Sequence, residues 1–130
     1  MPSLDVEVIG RTLAPSAPPD LEISRLAGLA AAAGGIKDGH VAVQFVDAER
    51  ISELNAEFRD KQGPTDVLSF PVDETGMTAG PRELGDVVIC DGETADIREA
   101  VVHGVLHLVG MDHETDDGEM LAVQREILSW

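Results

Sequence analysis

The sequence predicts an α+β fold, with a small mixed sheet of four strands packed with about four helices in a single domain spanning residues 1–130. Four short stretches are β-prone or alternate between apolar and polar residues, and four longer stretches carry apolar residues at helical spacing. The helical stretches interleave with the strands, so the helices are expected to cover the sheet. A chain of 130 residues is long enough for one hydrophobic core and needs no second one.

The first part of the chain supplies two strands and a helix. Alternating apolar and acidic residues predict a strand over 4–9. A run rich in Leu and Ala follows three prolines and stops at a Gly-Gly pair, which predicts a helix over 20–33. Apolar residues then alternate over 41–45, and this pattern predicts the second strand.

A second helix is predicted after Asp47, which stands at the position of an N-cap. The helix is expected to end at Arg59. Its apolar residues recur at the spacing of one helical face, which predicts that this face packs on the core. The residues of the predicted inner face are Ile51, Leu54 and Phe58.

The second half of the chain supplies the remaining strands and helices. Apolar, β-prone stretches predict strands over 65–72 and 84–90, with a loop rich in Gly and Pro over 73–83. From about residue 94 the apolar spacing becomes helical and continues to 108. Asp116 with Glu119 forms a capping box that opens a last helix. The inner face of that helix is predicted to consist of Met120, Val123 and Ile127.

The charge and composition limit the classes of function. There are 25 acidic and 9 basic residues, and the net charge is −16. This excludes nucleic-acid binding through a broad basic surface, so a polyanionic substrate must be captured locally. The single cysteine, Cys90, precludes an internal disulfide and is expected to be buried. Without a signal sequence or an apolar stretch of roughly 20 residues, the chain is expected to be cytoplasmic and to have no membrane partner.

Three of the four histidines lie close together, with the spacing H-x3-H-x5-H. His103 and His107 are four residues apart, so a helix places both imidazoles on one face, with Cβ atoms roughly 5–6 Å apart. Gly110 can end that helix in the left-handed conformation and bring His113 back to the same point. Three imidazoles on Zn²⁺ leave a fourth position for water, as in catalytic zinc sites. The spacing therefore predicts one metal ion per chain, held by a zincin-like metal helix and its following turn.

The same spacing matches the metzincin protease pattern H-E-x-x-H-x-x-G-x-x-H at every position except one. Position 104 is glycine, where the protease has the glutamate that acts as its general base. A zinc peptidase is therefore one alternative function, and Gly104 opposes it. Zinc lowers the pKa of a bound water toward ~7 and can polarise a phosphoryl oxygen, so phosphodiester cleavage is equally open to such a site.

Four segments resemble the YbeY family, the bacterial endoribonucleases of ribosomal RNA maturation. They are 54–59, 65–71 (TDVLSFP), 84–89 (LGDVVI) and 103–113 (HGVLHLVGMDH), in the family's order. The resemblance implies an α+β fold, zinc on His103, His107 and His113, and cleavage of single-stranded RNA assisted by an arginine that matches Arg59. The family usually has an extra helix before the metal helix, whereas this chain has only residues 91–102 for that connection.

Arg59 is accordingly the expected catalytic and substrate-binding residue. Its guanidinium is a planar fork that can hold two phosphate oxygens, although a cation at a helix C-terminus is also favourable when simply solvated. Lys61 is expected to add positive charge for substrate binding. The expected partners are single-stranded RNA, above all ribosomal RNA, and ribosomal proteins. A non-catalytic, metal-stabilised module that binds ribosomal proteins is the second alternative, since an acidic chain suits basic partners.

Overall fold

The computed structural model describes residues 4–72, 83–111 and 117–130. The strands are β1 (Leu4–Ile9), β2 (Gly39–Val46), β3 (Val67–Pro71) and β4 (Glu83–Cys90). The α-helices are α1 (Asp20–Ala33), α2 (Ala48–Arg59), α3 (Ile97–Leu108) and α4 (Glu119–Leu128). The predicted bounds of β1 and α1 are therefore confirmed to the residue. No helix in the described ranges is long and apolar enough to cross a membrane.

The four strands form one sheet in the order β1-β2-β4-β3. β1, β2 and β4 run parallel, and β3 pairs with β4 in the antiparallel direction. In the middle of the sheet, Val43 lies opposite Val8 on one side and Val87 on the other. The predicted mixed sheet of four strands is confirmed. β3 is an edge strand, and β4, the last strand along the chain, lies inside the sheet.

Helices cover both faces of this sheet. α1, α3 and α4 pack on one face, where the main core lies. The largest fully buried side chains there are Ile23, Leu26, Val41, Val43, Phe45, Val87, Ile89, Val101, Leu106, Met120 and Ile127. α2 packs on the other face, where Ile51 and Leu54 join a smaller cluster that includes Val88 and the buried Cys90. Because α3 lies against both β4 and β3, it runs close to the edge of the sheet.

β3 is shorter than the predicted strand over 65–72. Its regular part begins at Val67, whose N–H donates a hydrogen bond to the carboxylate of Asp66 at 2.8 Å. The Asp66 carbonyl still accepts from the Cys90 N–H at 2.9 Å, so pairing with β4 reaches one residue further than the strand. The side chain of Asp66 thus satisfies a backbone donor at the free edge of the sheet.

The connection from β4 to α3 is short and contains only residues 91–96. A single 3₁₀ turn (Asp91–Glu93) comes first, and α3 then begins at Ile97 rather than at the predicted 94. Asp96 sets this start, because its carboxylate accepts from the Arg98 N–H at 3.0 Å and caps the helix. The histidine-bearing helix therefore follows the central strand almost directly.

The last helix also begins later than predicted. The capping-box residue Asp116 lies outside the described residues, and α4 begins at Glu119 after Gly118. The Glu119 carboxylate accepts from the backbone N–H of Asp117 at 2.7 Å, which still satisfies a donor ahead of the helix. The predicted inner face is confirmed, with Met120 and Ile127 buried and Val123 partly buried against the core.

The prediction that Phe58 faces the core is wrong. Its spacing from Ile51 and Leu54 is that of one helical face, yet its side chain is 59% exposed. The ring packs edge-on against Phe70 of β3, with ring centroids 5.1 Å apart and an interplanar angle of 73°. Since β3 is the edge strand, none of the described strands lies beyond Phe70 to cover the rest of the ring.

Candidate active site

The two helical histidines lie on the part of α3 that the core leaves accessible. Their neighbours Val101, Val102 and Leu106 are fully buried, whereas His103 and His107 are only partly buried. This separation follows from the four-residue spacing, which puts both imidazoles on one side of the helix. The sequence-based placement of these two residues on one helical face is confirmed.

The imidazoles of His103 and His107 converge. Their Nε2 atoms are 3.2 Å apart, and their ring centroids are 4.7 Å apart. On the other side of the first ring, His103 Nδ1 lies 2.8 Å from Oε1 of Gln124 in α4. Because an amide oxygen only accepts hydrogen bonds, this contact puts the ring proton on Nδ1 and leaves the Nε2 lone pair directed at His107.

Gln124 is a site residue that sequence reasoning missed. Its side chain is only 7% exposed and is one of two buried polar side chains in the described part of the chain. It lies on the same face of α4 as Met120 and Ile127, at helical spacing from both. A polar residue within that apolar stripe was the available signal, because a buried amide needs a hydrogen-bond partner.

The turn after α3 has the predicted form. Gly110 has φ of +99°, in the region that favours glycine, and its N–H donates to the carbonyl of His107 at 3.1 Å. The Met111 N–H donates to the carbonyl of Leu106 at 3.0 Å, which completes the usual glycine-ended helix terminus. His113 lies outside the described residues. Without it, the described ranges contain no group of three potential metal ligands, so the full ligand set stays a prediction.

Gly104 lets α3 approach the sheet closely. A Cβ atom at this position would lie 2.4 Å from a methyl carbon of Val87 and 3.3 Å from one of Val67. The backbone is near enough to β3 for Ser69 Oγ to donate to the Gly104 carbonyl at 2.8 Å. No side chain fits here without displacing the buried Val87, so the glutamate of the peptidase pattern has no room.

One cavity of about 510 Å³ brings the helical histidines together with Arg59. Its other lining residues are Thr65, Asp66, Val67, Ser69, Pro71, Gly110 and Met111. Across the described ranges, no carboxylate lies within ion-pairing distance of Arg59, and its side chain is exposed. Lys61 does not line the cavity, and its contact with a substrate stays a prediction.

Asn55 anchors the loop that follows Arg59. Its side chain is 5% exposed, and Nδ2 donates to the Gly63 carbonyl at 3.0 Å. Its own carbonyl accepts from the Lys61 N–H at 3.2 Å. These bonds hold the loop that connects the end of α2 to β3. Sequence reasoning gave Asn55 no role, although a polar residue on the inner face of α2 was a visible signal.

Comparison with known proteins places this architecture in a family. The family model described as Endoribonuclease YbeY matches residues 22–130, which include α3 and the Arg59 segment. The chain belongs to the YbeY family. Among curated proteins named Endoribonuclease YbeY, that of Bacillus thuringiensis (strain Al Hakam) is 39% identical over 128 residues, covering 82% of this chain and 82% of the relative.

Two further YbeY relatives are longer than the part that this chain matches. The Rubrobacter xylanophilus protein is 45% identical over 95 residues, covering 69% of this chain and 66% of the relative. The Corynebacterium glutamicum protein is 36% identical over 114 residues, covering 71% of this chain and 58% of the relative. The chain thus spans less than two thirds of the length of either protein.

A solved structure shares the fold. The solution structure of TM1509 from Thermotoga maritima aligns with a TM-score of 0.51 and 26% sequence identity, covering 95% of this chain and 87% of that one. The predicted α+β fold is confirmed by the architecture and by this likeness.

Proposed function

We propose that this chain is a metal-dependent endoribonuclease that cuts single-stranded RNA, with ribosomal RNA as substrate and Zn²⁺ as its metal. The observation that carries the proposal is the convergence of two imidazole Nε2 atoms, 3.2 Å apart, in the same cavity as the exposed guanidinium of Arg59. The relatives of the YbeY family that bear the name endoribonuclease support this choice of activity.

The donor set fits a transition metal. His103 donates from Nδ1 to Gln124 and therefore offers Nε2. Metal-bound histidines commonly have this arrangement, in which the other ring nitrogen donates to a neighbouring acceptor. Imidazole nitrogens suit zinc, nickel and copper better than magnesium or calcium. With His113 as the proposed third ligand, a zinc ion would supply Lewis acidity toward a phosphoryl oxygen and lower the pKa of a coordinated water.

Arg59 is proposed to bind and orient the scissile phosphate. Phosphodiester cleavage adds negative charge to the phosphate oxygens, and a guanidinium can contact two of those oxygens at once. Arg59 is suited to this because no described carboxylate neutralises it and because the Asn55-anchored loop holds the chain next to it. In a chain with a net charge of −16, one exposed cation in the cavity provides the local capture of a polyanion.

The alternatives fit the described residues less well. A metzincin-type peptidase needs a glutamate at position 104, where even a Cβ atom would lie 2.4 Å from Val87. A purely structural metal module does not account for a guanidinium in the same cavity that no described carboxylate pairs with. The acidic charge suits ribosomal proteins as additional partners. We propose that the enzyme acts in the cytoplasm, in ribosomal RNA maturation and ribosome quality control.

Parallel assays test this proposal. Zinc-loaded protein is incubated with a fluorescent single-stranded RNA and, separately, with fluorescent casein, each with and without a chelator. The expected result is RNA cleavage that the chelator abolishes and added zinc restores, with casein intact. Casein cleavage would favour the peptidase, and an absence of cleavage in both assays at full metal occupancy would favour the non-catalytic module.

A further inference from the structure

The free edge of β3 borders the cavity. Two hydrogen bonds show which residues of β3 direct their backbone groups toward β4. The Asp66 carbonyl accepts from the Cys90 N–H at 2.9 Å, and the Val72 N–H donates to the Leu84 carbonyl at 3.3 Å. In an antiparallel pair, alternate residues direct both backbone groups toward the partner strand. The backbone N–H and C=O groups of residues 66, 68, 70 and 72 therefore face β4. Those of the residues between them face away from it.

The outward-facing residues are those that line the cavity. Val67, Ser69 and Pro71 are all lining residues, together with His103 and His107. Because no described strand pairs with β3 on its other side, the backbone N–H and C=O groups of these three residues are directed to the space beside the histidines. The cavity therefore has a wall of backbone hydrogen-bonding groups in addition to its side chains.

This edge has a single available donor. The Val67 N–H already donates to the Asp66 carboxylate at 2.8 Å, and proline has no N–H at position 71. The Ser69 N–H remains, and no described residue accepts a hydrogen bond from it. The carbonyl of Ser69 faces the same side, because an outward-facing residue directs both of its backbone groups away from the partner strand. The edge thus offers one donor with an acceptor next to it on the same residue.

A peptide and a nucleobase make different demands on such an edge. A peptide that adds to a sheet as a new strand needs donors and acceptors repeated along the edge, and here two of three donors are missing. A nucleobase needs only an adjacent donor and acceptor, because each base presents a short pattern of such groups at its edge. The described edge therefore favours a base over a peptide.

We propose that the free edge of β3 binds an unpaired nucleobase of the substrate through the N–H and the carbonyl of Ser69. This subsite rests on the proposed function, since it lies in the same cavity as Arg59 and the histidines. In an RNA duplex the Watson–Crick edges of the bases are already paired, and the deep, narrow major groove hides their Hoogsteen edges. Recognition of one base by the backbone thus gives a physical reason for single-strand specificity.

The test removes the donor without removing the strand. Ser69→Pro deletes the outward N–H, and proline is tolerated in edge strands where the N–H faces away from the sheet. Ser69→Ala is the matched control, because it also loses the Oγ bond to Gly104 but keeps the N–H. Affinities are measured by fluorescence anisotropy for two labelled single-stranded decadeoxynucleotides of equal charge, one with bases and one with abasic tetrahydrofuran units throughout.

The zinc-loaded wild-type protein is expected to bind the oligonucleotide with bases more tightly than the abasic one. Ser69→Ala should keep this preference, and Ser69→Pro should lose roughly fivefold to tenfold of it, the effect of one hydrogen bond. Equal affinity of the wild type for both oligonucleotides, or an unchanged preference in folded Ser69→Pro, would overturn the proposed subsite. If Ser69→Pro does not fold, the wild-type comparison decides. RNA cleavage measured in parallel shows whether the proposed function itself holds.

Discussion

Oε1 of Gln124 lies 2.8 Å from Nδ1 of His103, and this hydrogen bond joins α4 to the histidine face of α3. The bond holds the imidazole with Nε2 toward His107 and toward the cavity. The imidazole needs this amide in order to act as a ligand. Without the hydrogen bond, the ring could rotate or carry its proton on the other nitrogen.

We predict that Gln124→Leu weakens zinc binding about 10- to 100-fold while the fold is kept, since loss of an outer-shell partner usually has that effect. Gln124→Glu should retain most of the affinity, because a carboxylate oxygen can accept the same bond. Competition with a chromophoric chelator measures the zinc affinity, and circular dichroism checks the fold. Gln44→Leu, on the face of the sheet that α2 covers, is the matched control. Wild-type affinity in folded Gln124→Leu would contradict the positioning role.

Substitution of a histidine and substitution of Arg59 should have different effects on metal binding and on cleavage. His107→Ala is expected to lose both the metal and RNA cleavage. Arg59→Glu should keep metal and fold but lose roughly 10²–10³ in rate, the usual effect of losing one positioned electrostatic donor. Metal content and cleavage are measured on the same preparations. Arg125→Glu, an identical charge change on the exposed side of α4, is the control.

Two further variants refine this result. Arg59→Lys should also be impaired, because a lysine restores the charge without the two-pronged geometry. Lys61→Glu tests the predicted substrate contact of a residue that does not line the cavity. If Arg59→Glu cleaves RNA at the wild-type rate under matched salt and metal loading, the phosphate-binding role belongs to another residue.

Gly104→Ala and Gly28→Ala should shift the free energy of unfolding in opposite directions. Both glycines lie inside helices, where alanine is favoured by up to about 1 kcal/mol. A Cβ at Gly28 meets nothing within 4 Å, whereas one at Gly104 lies 2.4 Å from a methyl of the buried Val87. Overpacking typically costs about 1–3 kcal/mol, so Gly104→Ala should be destabilised. Urea denaturation measures both, and equal stabilisation of the two would show that α3 can move away from the sheet.

His40 should make stability depend on pH. Its Nδ1 lies 2.6 Å from Glu83 and its Nε2 lies 3.3 Å from Glu7. Burial acts to lower the pKa of His40, but the hydrogen bond to Glu83 and the charges of Glu83, Asp5 and Glu7 outweigh it and raise the pKa. Because the folded pKa is raised, the stabilisation is complete below the ordinary pKa of about 6.5 and is lost as the pH rises through the folded value.

The corresponding variant is His40→Gln. We expect it to lower the free energy of unfolding by about 0.5 kcal/mol at pH 6, the size of a surface ion pair, and by less at pH 8.5. Denaturant titrations at the two pH values provide the measurement. A loss that is larger at pH 8.5 than at pH 6 would have the wrong sign for a raised pKa.

Metal binding should stabilise the fold, because the proposed ligands join α3 to the turn that follows it. Free zinc at 100 times its dissociation constant would contribute about 2.7 kcal/mol, so chelation should lower the melting temperature. Differential scanning fluorimetry with and without chelator measures the shift. His107→Ala should melt at the same temperature under both conditions. An unchanged wild-type melting curve after confirmed metal removal would separate the site from stability.

Most of the fold could be predicted from the sequence, because the patterns that indicate strands and helices are local. The alternation in β1 and the Leu- and Ala-rich run of α1 placed both elements to the residue. The helical spacing of His103 and His107 likewise predicted their shared face. Phe58 was misplaced because helical spacing identifies a face but not how far the sheet extends beneath it. α3 began later than expected because Asp96 caps it, a choice that depends on a side-chain bond.

The parts of the site that the sequence did not predict depend on contacts between elements that are distant in the chain. Gln124 reaches His103 from another helix, and Ser69 reaches the Gly104 carbonyl from the edge strand. Neither pairing has a periodicity that a sequence displays. The close approach at Gly104 also follows from where the methyls of Val87 lie, which only the packed structure shows.

The position of β4 within the sheet determines when the protein can fold as it is synthesised. β4 lies between β2 and β3 in the sheet, although it follows both of them in the chain. While the ribosome still holds residues 83–90, only β1 and β2 can pair. The edge of β2 that pairs with β4 in the folded sheet is then unpaired. α3 follows β4 after only residues 91–96. The nascent chain therefore completes this sheet only after β4 has been synthesised, and the cavity beside the histidines forms only once α3 has followed it.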